Sequence, residues 1–321
     1  MKQKLIATIL LFYFCFVVAI FTTSMGRSDR ANANEFGVPN QSSAPSAIAQ
    51  SNLAPPMQSS CPVRPENNKT ISNQAIPNDF VQVTLSRFRR IGDESKLSTE
   101  ESLIERSSSA LNNYKPVESI VLADPTNYGE RFLTDLYGRP AQYPPIVVIH
   151  ETVGSARSAL NLFQTPHPLD SQQVSYHALI KRSGEVIYIV PPDLRAFGAG
   201  NSVFEGENGS ETVQTNPGLL PSVNNFAYHV SLETPPDGNN NRSRHRGYTK
   251  AQYQSLAWLV AKTGVPDSRI TTHKGVDRSG QRRDPRSFNQ QAFWKLLKEQ
   301  PRTNEIIIGC QPKSNSRFPL N

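Results

Sequence analysis

Cysteine is scarce in this 321-residue chain, which carries three, at positions 15, 61 and 310. None of the three stands beside a histidine, so the sequence offers no candidate for a cysteine nucleophile activated by a neighbouring imidazole. The chain also lacks an HExxH motif, a GxSxG nucleophile elbow and a glycine-rich phosphate loop. Helical metalloprotease, serine hydrolase and nucleotide chemistry therefore have no support from local motifs.

Basic residues outnumber acidic ones, with 34 Lys and Arg against 27 Asp and Glu, for a net charge of +7. This excess favours anionic partners such as a cell-wall polymer or a membrane surface. No basic stripe interleaved with aromatic residues is present. We therefore do not expect nucleic acid to be a partner.

Residues 1–33 are predicted to be a secretory signal peptide or a membrane anchor. A basic start precedes an apolar run over residues 5–21, and Ala31-Asn-Ala33 follows as a candidate cleavage site. The run is long for a signal peptide, so an uncleaved span that tethers the chain to the membrane is the rival interpretation. Both send the remainder to the periplasm, the cell envelope or the exterior.

Export also bears on the cysteines. Cys15 lies inside the apolar run, so Cys61 and Cys310 are the only thiols in the rest of the chain. An oxidising compartment permits these two to pair. The alternative is two free thiols, since their separation in space is not encoded in the sequence. We favour the disulfide.

Composition and periodicity divide the rest of the chain into four segments. Residues 34–78 are rich in Ser, Asn, Pro, Gln and Ala and predict a disordered linker. Residues 79–117 form an adapter segment whose role the sequence does not reveal. A folded domain is expected over 118–300, and 301–321 form a C-terminal tail.

The folded domain is predicted to be of the α/β class, with a mixed central β-sheet flanked by helices. Apolar runs and alternation predict strands and a hairpin, whereas helical spacing predicts three helices. The predicted strands are 119–123, 146–149, 226–233 and 269–272, with a hairpin over 174–181 and 186–190, and the predicted helices are 155–163, 249–263 and 288–298.

Two histidines stand out because each ends a predicted strand, where ligands gather in α/β sheets. His150 follows the run Pro145-Ile-Val-Val-Ile, and His273 follows Ile270-Thr-Thr. Asp284 comes eleven positions after His273. Two imidazoles and one carboxylate leave a fourth zinc position open for water, as in zinc hydrolases. A lone histidine is more often structural, and we expect the other four histidines to be structural or surface residues.

Four segments carry a resemblance to a known family and occur in that family's order. They are Val147-Val-Ile-His-Glu-Thr152, Ser175-Tyr-His-Ala-Leu-Ile-Lys-Arg-Ser-Gly-Glu-Val186, Ala196-Phe-Gly-Ala-Gly-Asn-Ser202, and Thr272-His273 through Gly280 and Arg282 to Asp284-Pro285. Together they resemble the type 2 N-acetylmuramoyl-L-alanine amidases, the family that shares its fold with peptidoglycan-recognition proteins. The resemblance spans about residues 145–297.

The resemblance implies that His150, His273 and Asp284 bind Zn²⁺, and that Tyr176 faces the metal. The alternative for Tyr176 is an aromatic that packs in the hairpin. Arg282 falls where many relatives have lysine; its permanent charge could stabilise an oxyanion but cannot act as a base. The alternative for Arg282 is a surface ion pair.

The sequence also departs from the family pattern. Gly198 stands where relatives often have histidine. Glu233 lies near the position of a catalytic glutamate and is the candidate general base, but the register is uncertain and Ser231 occupies the other candidate place.

The expected function is a zinc-dependent amidase that hydrolyses the amide between N-acetylmuramic acid and L-alanine of peptidoglycan. A non-catalytic peptidoglycan-binding module is the alternative, and a zinc peptidase that cuts within the stem peptide is a third. Peptidoglycan is the expected partner, and we expect the protein to be a monomer.

Overall fold

A computed structural model describes residues 61–65, 83–91 and 114–310. The signal or anchor of residues 1–33, with its tether over 5–21, and most of the linker and adapter lie outside the described residues. Within the described part, no helix is long and apolar enough to cross a membrane. The boundaries assigned to the linker, the adapter and the tail remain predictions.

A six-stranded mixed sheet forms the centre of the described domain, in the order β1-β5-β4-β9-β3-β10. The antiparallel pair is the predicted hairpin of β4 and β5, and the other neighbouring strands run parallel. The strands are β1 (Glu118–Ile120), β3 (Ile146–Glu151), β4 (Ala178–Ile180), β5 (Val186–Tyr188), β9 (Ala227–Leu232) and β10 (Ile270–Thr272). The predicted mixed sheet is confirmed.

Short antiparallel pairs lie outside this sheet. They join β2 (Tyr128–Gly129) to β6 (Arg195–Ala196), and β7 (Phe204–Gly206) to β8 (Gly209–Glu211).

The central strands β3 and β9 are buried along their whole length. Their continuous apolar character has a physical cause, since a strand in a parallel arrangement is covered on both faces. Val147 and Ile149 of β3 point into the cluster that contains Leu256 and Phe293. Ile146 and Val148 point to the other side. The alternation leaves His150 on the face of Ile146 and Val148.

Helices cover both faces of the sheet. They are α1 (Ala156–Gln164), α2 (Lys250–Ala261), the single turn α3 (His273–Val276) and α4 (Gln290–Lys298). Helices α2 and α4 supply apolar residues to one core cluster, and α1 packs on the opposite face. Helix α2 starts with a capping box between Thr249 and Gln252, which satisfies amides that the first turn leaves unpaired.

Residues 83–91, which belong to the adapter, pack against the domain. Phe88 is buried and stacks on Tyr188, with ring centroids 5.1 Å apart. The Arg89 guanidinium donates to both oxygens of Glu118, at 2.9 and 2.7 Å, and to Glu305 at 2.9 Å. Residues 83–91 are therefore joined to both ends of the folded domain, a contact that local periodicity could not show.

Cys61 and Cys310 form a disulfide, with their Cα atoms 5.4 Å apart. The pairing favoured from the sequence is thus confirmed. Residues 61–65 also run beside the domain, since the amides of Leu133 and Thr134 donate to the carbonyls of Pro62 and Val63. The bond links two cysteines that are 249 residues apart in sequence.

The Arg89 ion pair generates a test of the docked segment. Arg89→Ala would leave Glu118, whose side chain is 5 % exposed, without its charged partner. We expect the free energy of unfolding to fall by about 3 kcal/mol, because an uncompensated buried charge remains. Chemical denaturation measures the change. Arg90→Ala, an exposed neighbour, is the matched control and should stay within about 0.5 kcal/mol. Equal stabilities for the two variants would contradict the docking.

Candidate metal centre

The sheet register brings His150 and His273 together. Strands β3 and β10 are parallel neighbours in which Ile149 is opposite Thr272. The residue that follows each of these two is a histidine, so both histidines lie at the same end of the sheet. His150 is the penultimate residue of β3, whereas His273 is the first residue of α3. Asp284 lies in the following loop, where its carbonyl accepts a hydrogen bond from the Lys274 amide at 3.0 Å.

The three side chains converge on one point. Asp284 Oδ2 is 3.0 Å from His273 Nδ1 and 3.4 Å from His150 Nδ1. One ligand atom from each residue lies within 4.8 Å of the others, and all three residues are buried. The convergence predicted from the sequence is therefore present in the structure.

The donor set fits a metal ion. Tetrahedral ligands that are 2.0–2.1 Å from zinc lie roughly 3.3 Å from each other, close to the distances to Asp284. His150 Nδ1 is buried and makes no hydrogen bond, which leaves its lone pair free. A buried polar atom without a partner is costly, so a ligand for it is expected. Two imidazole nitrogens and a carboxylate can hold a divalent metal ion here.

The electrostatics favour the metal-binding protonation states. Burial lowers the pKa of His150 to about 4, although the Asp284 carboxylate opposes the shift. Burial would raise the pKa of Asp284, but its interactions with His150 and His273 outweigh burial and hold that pKa well below its ordinary value. At neutral pH the site therefore offers a neutral His150 imidazole and a carboxylate, the forms that bind metal.

Tyr176 packs directly on the site. Its ring stacks on His150, with centroids 4.5 Å apart, and meets Phe163 edge-on at 5.2 Å. The hairpin was predicted to start at residue 174, whereas strand β4 begins at Ala178, so Tyr176 lies in the segment that precedes the strand. Burial raises the pKa of its hydroxyl, and the Asp284 carboxylate adds to the effect. The hydroxyl therefore stays protonated and can donate a hydrogen bond.

A cationic groove opens beside Asp284. Its volume is about 470 Å³, and Arg242, Arg282 and Arg283 line it together with Asp284. All three arginines are exposed, and within the described residues their guanidinium groups form no ion pair. Arg282 thus lies next to the candidate metal site, whereas the alternative of a surface ion pair has no partner there.

A buried network of hydrogen bonds and ion pairs around Glu151 supports the candidate metal site. Glu151, the residue after His150, accepts hydrogen bonds from Tyr248 at 2.7 Å and from the Arg286 guanidinium, and lies 3.0 Å from His245 Nε2. Arg286 also donates to backbone carbonyls of residues 238, 240 and 242. Sequence reasoning missed this network, because its members are far apart in the chain.

The carboxylate of Glu233 has a different environment from the one predicted for a general base. One oxygen accepts from the Ala156 amide at 3.0 Å and the other from the Arg182 amide at 2.9 Å. Glu233 therefore stabilises the start of α1 and the hairpin turn. These contacts do not bring it to the metal cluster. Ser231 is instead opposite His150 in the sheet, and its hydroxyl is buried without a partner.

Two further histidines lie beneath the site. His229 Nδ1 is 2.9 Å from His150 Nε2, and His177 Nδ1 accepts from the His229 amide at 2.9 Å. Both are buried, as expected for structural imidazoles. The contact with His150 was not predicted. Alternation along β9 is the signal that could have found it, since His229 shares a face with Ser231.

The mixed sheet and the two-histidine, one-aspartate cluster at its edge define an α/β domain with a candidate mononuclear metal site. Residues 140–287 match the family model described as N-acetylmuramoyl-L-alanine amidase. This segment contains every candidate site residue, and the match to the type 2 amidase family holds for residues 140–287. The resemblance drawn from the sequence is confirmed.

Several solved structures are similar to the chain. A selenomethionine derivative of AmpD shares 24% identity over 57% of this chain and 96% of its own, with a TM-score of 0.40. Citrobacter freundii AmpD shares 24% over 56% and 90%, with a TM-score of 0.36. Drosophila peptidoglycan recognition protein SD shares 17% over 59% and 98%, with a TM-score of 0.32. No match was found among curated proteins.

The cluster geometry predicts the outcome of removing a ligand. His150→Ala and His273→Ala should each lose the ion, since two remaining donors do not hold zinc in a three-ligand site. Elemental analysis after loading with Zn²⁺ and desalting measures the content, which should fall from about one ion per chain to near zero. His167→Ala removes a loop histidine that contacts Asn127 and should keep the ion. Full zinc content in either ligand variant would rule out this cluster.

Proposed function

We propose that the protein is a zinc-dependent N-acetylmuramoyl-L-alanine amidase, which hydrolyses the amide between N-acetylmuramic acid and L-alanine of peptidoglycan. One observation carries the proposal: His150, His273 and Asp284 converge within a segment that matches the amidase family. All three positions hold residues able to bind metal, which favours an enzyme over a binding module.

The ligand chemistry suits zinc among the divalent ions, because imidazole nitrogen and carboxylate oxygen are donors typical of catalytic zinc sites. A zinc ion bound there would lower the pKa of its water to about 7 and polarise the substrate carbonyl. With three protein ligands, the site leaves room for water or substrate. This chemistry requires no covalent nucleophile from the protein.

We propose that Tyr176 and Arg282 stabilise the negative charge that develops on the carbonyl oxygen. Tyr176 supplies a protonated hydroxyl, since its pKa is raised by burial. Arg282 supplies a permanent positive charge in the groove next to Asp284. Preorganised donors of this kind stabilise a tetrahedral intermediate. We assign the oxyanion role to these two residues. Glu233 remains a prediction as general base, and its two backbone contacts do not support it.

The groove charge supports an anionic substrate. Glu151 and Asp284 also line the groove; Arg286 balances Glu151, and Arg242, Arg282 and Arg283 then outnumber the single carboxylate of Asp284. Stem peptides of peptidoglycan carry free carboxylates, so this surface suits the peptide side of the scissile amide. The net charge of +7 acts in the same direction.

The cellular setting is also proposed. We infer that the chain is exported, that it acts as a monomer on the cell wall, and that residues 5–21 serve as signal or as membrane tether. The oxidised pair Cys61–Cys310 supports an address outside the cytoplasm, where disulfides persist.

Digestion of peptidoglycan tests the proposed reaction. The purified protein, loaded with Zn²⁺, should release stem peptides with a free L-alanine amino terminus, and a chelator should stop the release. Mass spectrometry of the products identifies the bond that is cut. Cleavage inside the stem would show a peptidase instead. Binding to the wall without any cleavage, with zinc in place, would show a binding module.

The Tyr176 hydroxyl gives a second test. Tyr176→Phe should lower kcat about 100-fold, the loss typical of one oxyanion donor, while zinc content stays unchanged. Steady-state kinetics on a soluble muropeptide measure the effect. Tyr137→Phe removes the hydroxyl of an exposed tyrosine, which is 67% exposed, and should leave kcat at the wild-type value. If Tyr176→Phe turns over at the wild-type rate, Tyr176 is a packing residue.

A further inference from the structure

His229 lies directly behind the candidate metal ligand His150. Its Nδ1 atom is 2.9 Å from His150 Nε2, the ring nitrogen that faces away from Asp284. The two ring centroids are 5.1 Å apart, and both side chains are fully buried. Water therefore does not compete for this contact. His150 Nε2 and His229 Nδ1 are therefore hydrogen-bond partners of each other.

The surroundings of His229 are shaped to hold its ring. A Cβ atom added at Gly198 would lie 2.5 Å from His229 Cγ and 2.6 Å from Nδ1, so no side chain fits at that position. The adjacent Ala199 amide is fixed by Asn224 Oδ1 at 3.0 Å. On the other side, the His177 ring stacks on His229 with centroids 5.8 Å apart. The backbone at Gly198 thus closes over the imidazole and sets its position.

The protonation pattern follows from the role of His150. Metal binding through His150 Nδ1 requires a lone pair on that atom, so the ring proton must lie on Nε2. The Nε2–H group then donates to His229 Nδ1, which must be an acceptor. Ligand histidines are usually fixed in this way by an acceptor at the second nitrogen. Here the acceptor is a neutral imidazole instead of a carboxylate or a carbonyl.

We propose that His229 is a positioning residue, which holds the His150 ring in the orientation and tautomer that present Nδ1 to the metal, and that Gly198 is small in order to admit it. This inference rests on the proposed zinc site. It accounts for the departure at Gly198, since a side chain there and the imidazole of His229 compete for one space.

A consequence concerns the charge of the site. A carboxylate behind a ligand histidine makes the imidazole a stronger donor, whereas the uncharged ring of His229 adds no negative charge. Asp284 is then the one anionic ligand of the cluster. The centre formed by His150, His273 and Asp284 keeps a net positive charge when a divalent ion is bound.

Zinc affinity measured on the full chain tests the inference. His229→Leu removes the acceptor and should weaken zinc binding about 10- to 100-fold, as loss of such a contact typically does. His229→Asn places an amide oxygen near the former Nδ1 and should recover affinity close to wild type. Competition with a chromophoric chelator gives both values. Denaturant unfolding confirms that the compared variants are folded.

Two variants serve as controls. Ser231→Ala removes another buried polar group from the same face of β9, beside His150, and should leave zinc affinity unchanged. Gly198→Ala displaces the His229 ring without deleting it and should weaken zinc binding. It decides the question if His229→Leu does not fold. NMR of the zinc-loaded protein adds a direct readout, since the signal of the His150 Nε2–H proton should be protected from exchange in wild type and should lose that protection in His229→Leu.

The outcomes separate the two proposals. A wild-type chain that binds no zinc would contradict the proposed function. Wild-type zinc affinity in a folded His229→Leu variant, or a zinc-loaded His150 with its proton on Nδ1, would contradict the positioning role alone.

Discussion

The parallel register of β3 with β10 is the constraint on which the rest of the site depends. Because Ile149 is opposite Thr272, His150 and His273 leave the sheet side by side, and Asp284 needs one short loop to reach both. A shift of one residue in either strand would turn its side chains to the opposite face. The site is thus an outcome of strand pairing, and the burial of β3 on both faces makes that pairing stable.

The residues that support the candidate metal site are close in sequence to the residues that form it. Glu151 follows His150, and Arg286 stands two positions after Asp284, so their ion pair joins the same two segments that supply ligands. Arg286 in turn binds the carbonyls of the loop that carries Arg242. The groove wall, the sheet edge and the ligand loop therefore share one buried charged network. Such supporting contacts reduce the freedom of the ligands that they adjoin.

Local patterns in the sequence predicted most of the sheet and the three residues of the candidate metal site. The hairpin could be predicted because glycine marks a tight turn, and Gly184 indeed adopts a φ of 90°. Helix α2 could be predicted because Thr249 is a residue that favours the N-cap position, which it occupies. The sequence could not decide between Ser231 and Glu233 as the position of the catalytic glutamate, because the register was uncertain by two residues. The observed contacts of Glu233 with two backbone amides do not support its assignment as the base. The Glu151 network, the packing of Phe88 and the contact of His229 depend on long-range pairing, which periodicity does not encode.

The Cys61–Cys310 disulfide lies at the opposite end of the sheet from the arginine-lined groove. Cys310 lines a small cavity with Pro145 and Phe226, which precede β3 and β9, whereas His150 lies about 13 Å beyond Ile146, the first residue of β3. Cys61, bonded to Cys310, thus lies at the end of the sheet opposite the arginine-lined groove. A pull applied at Cys61 would therefore act on the end of the domain opposite the groove.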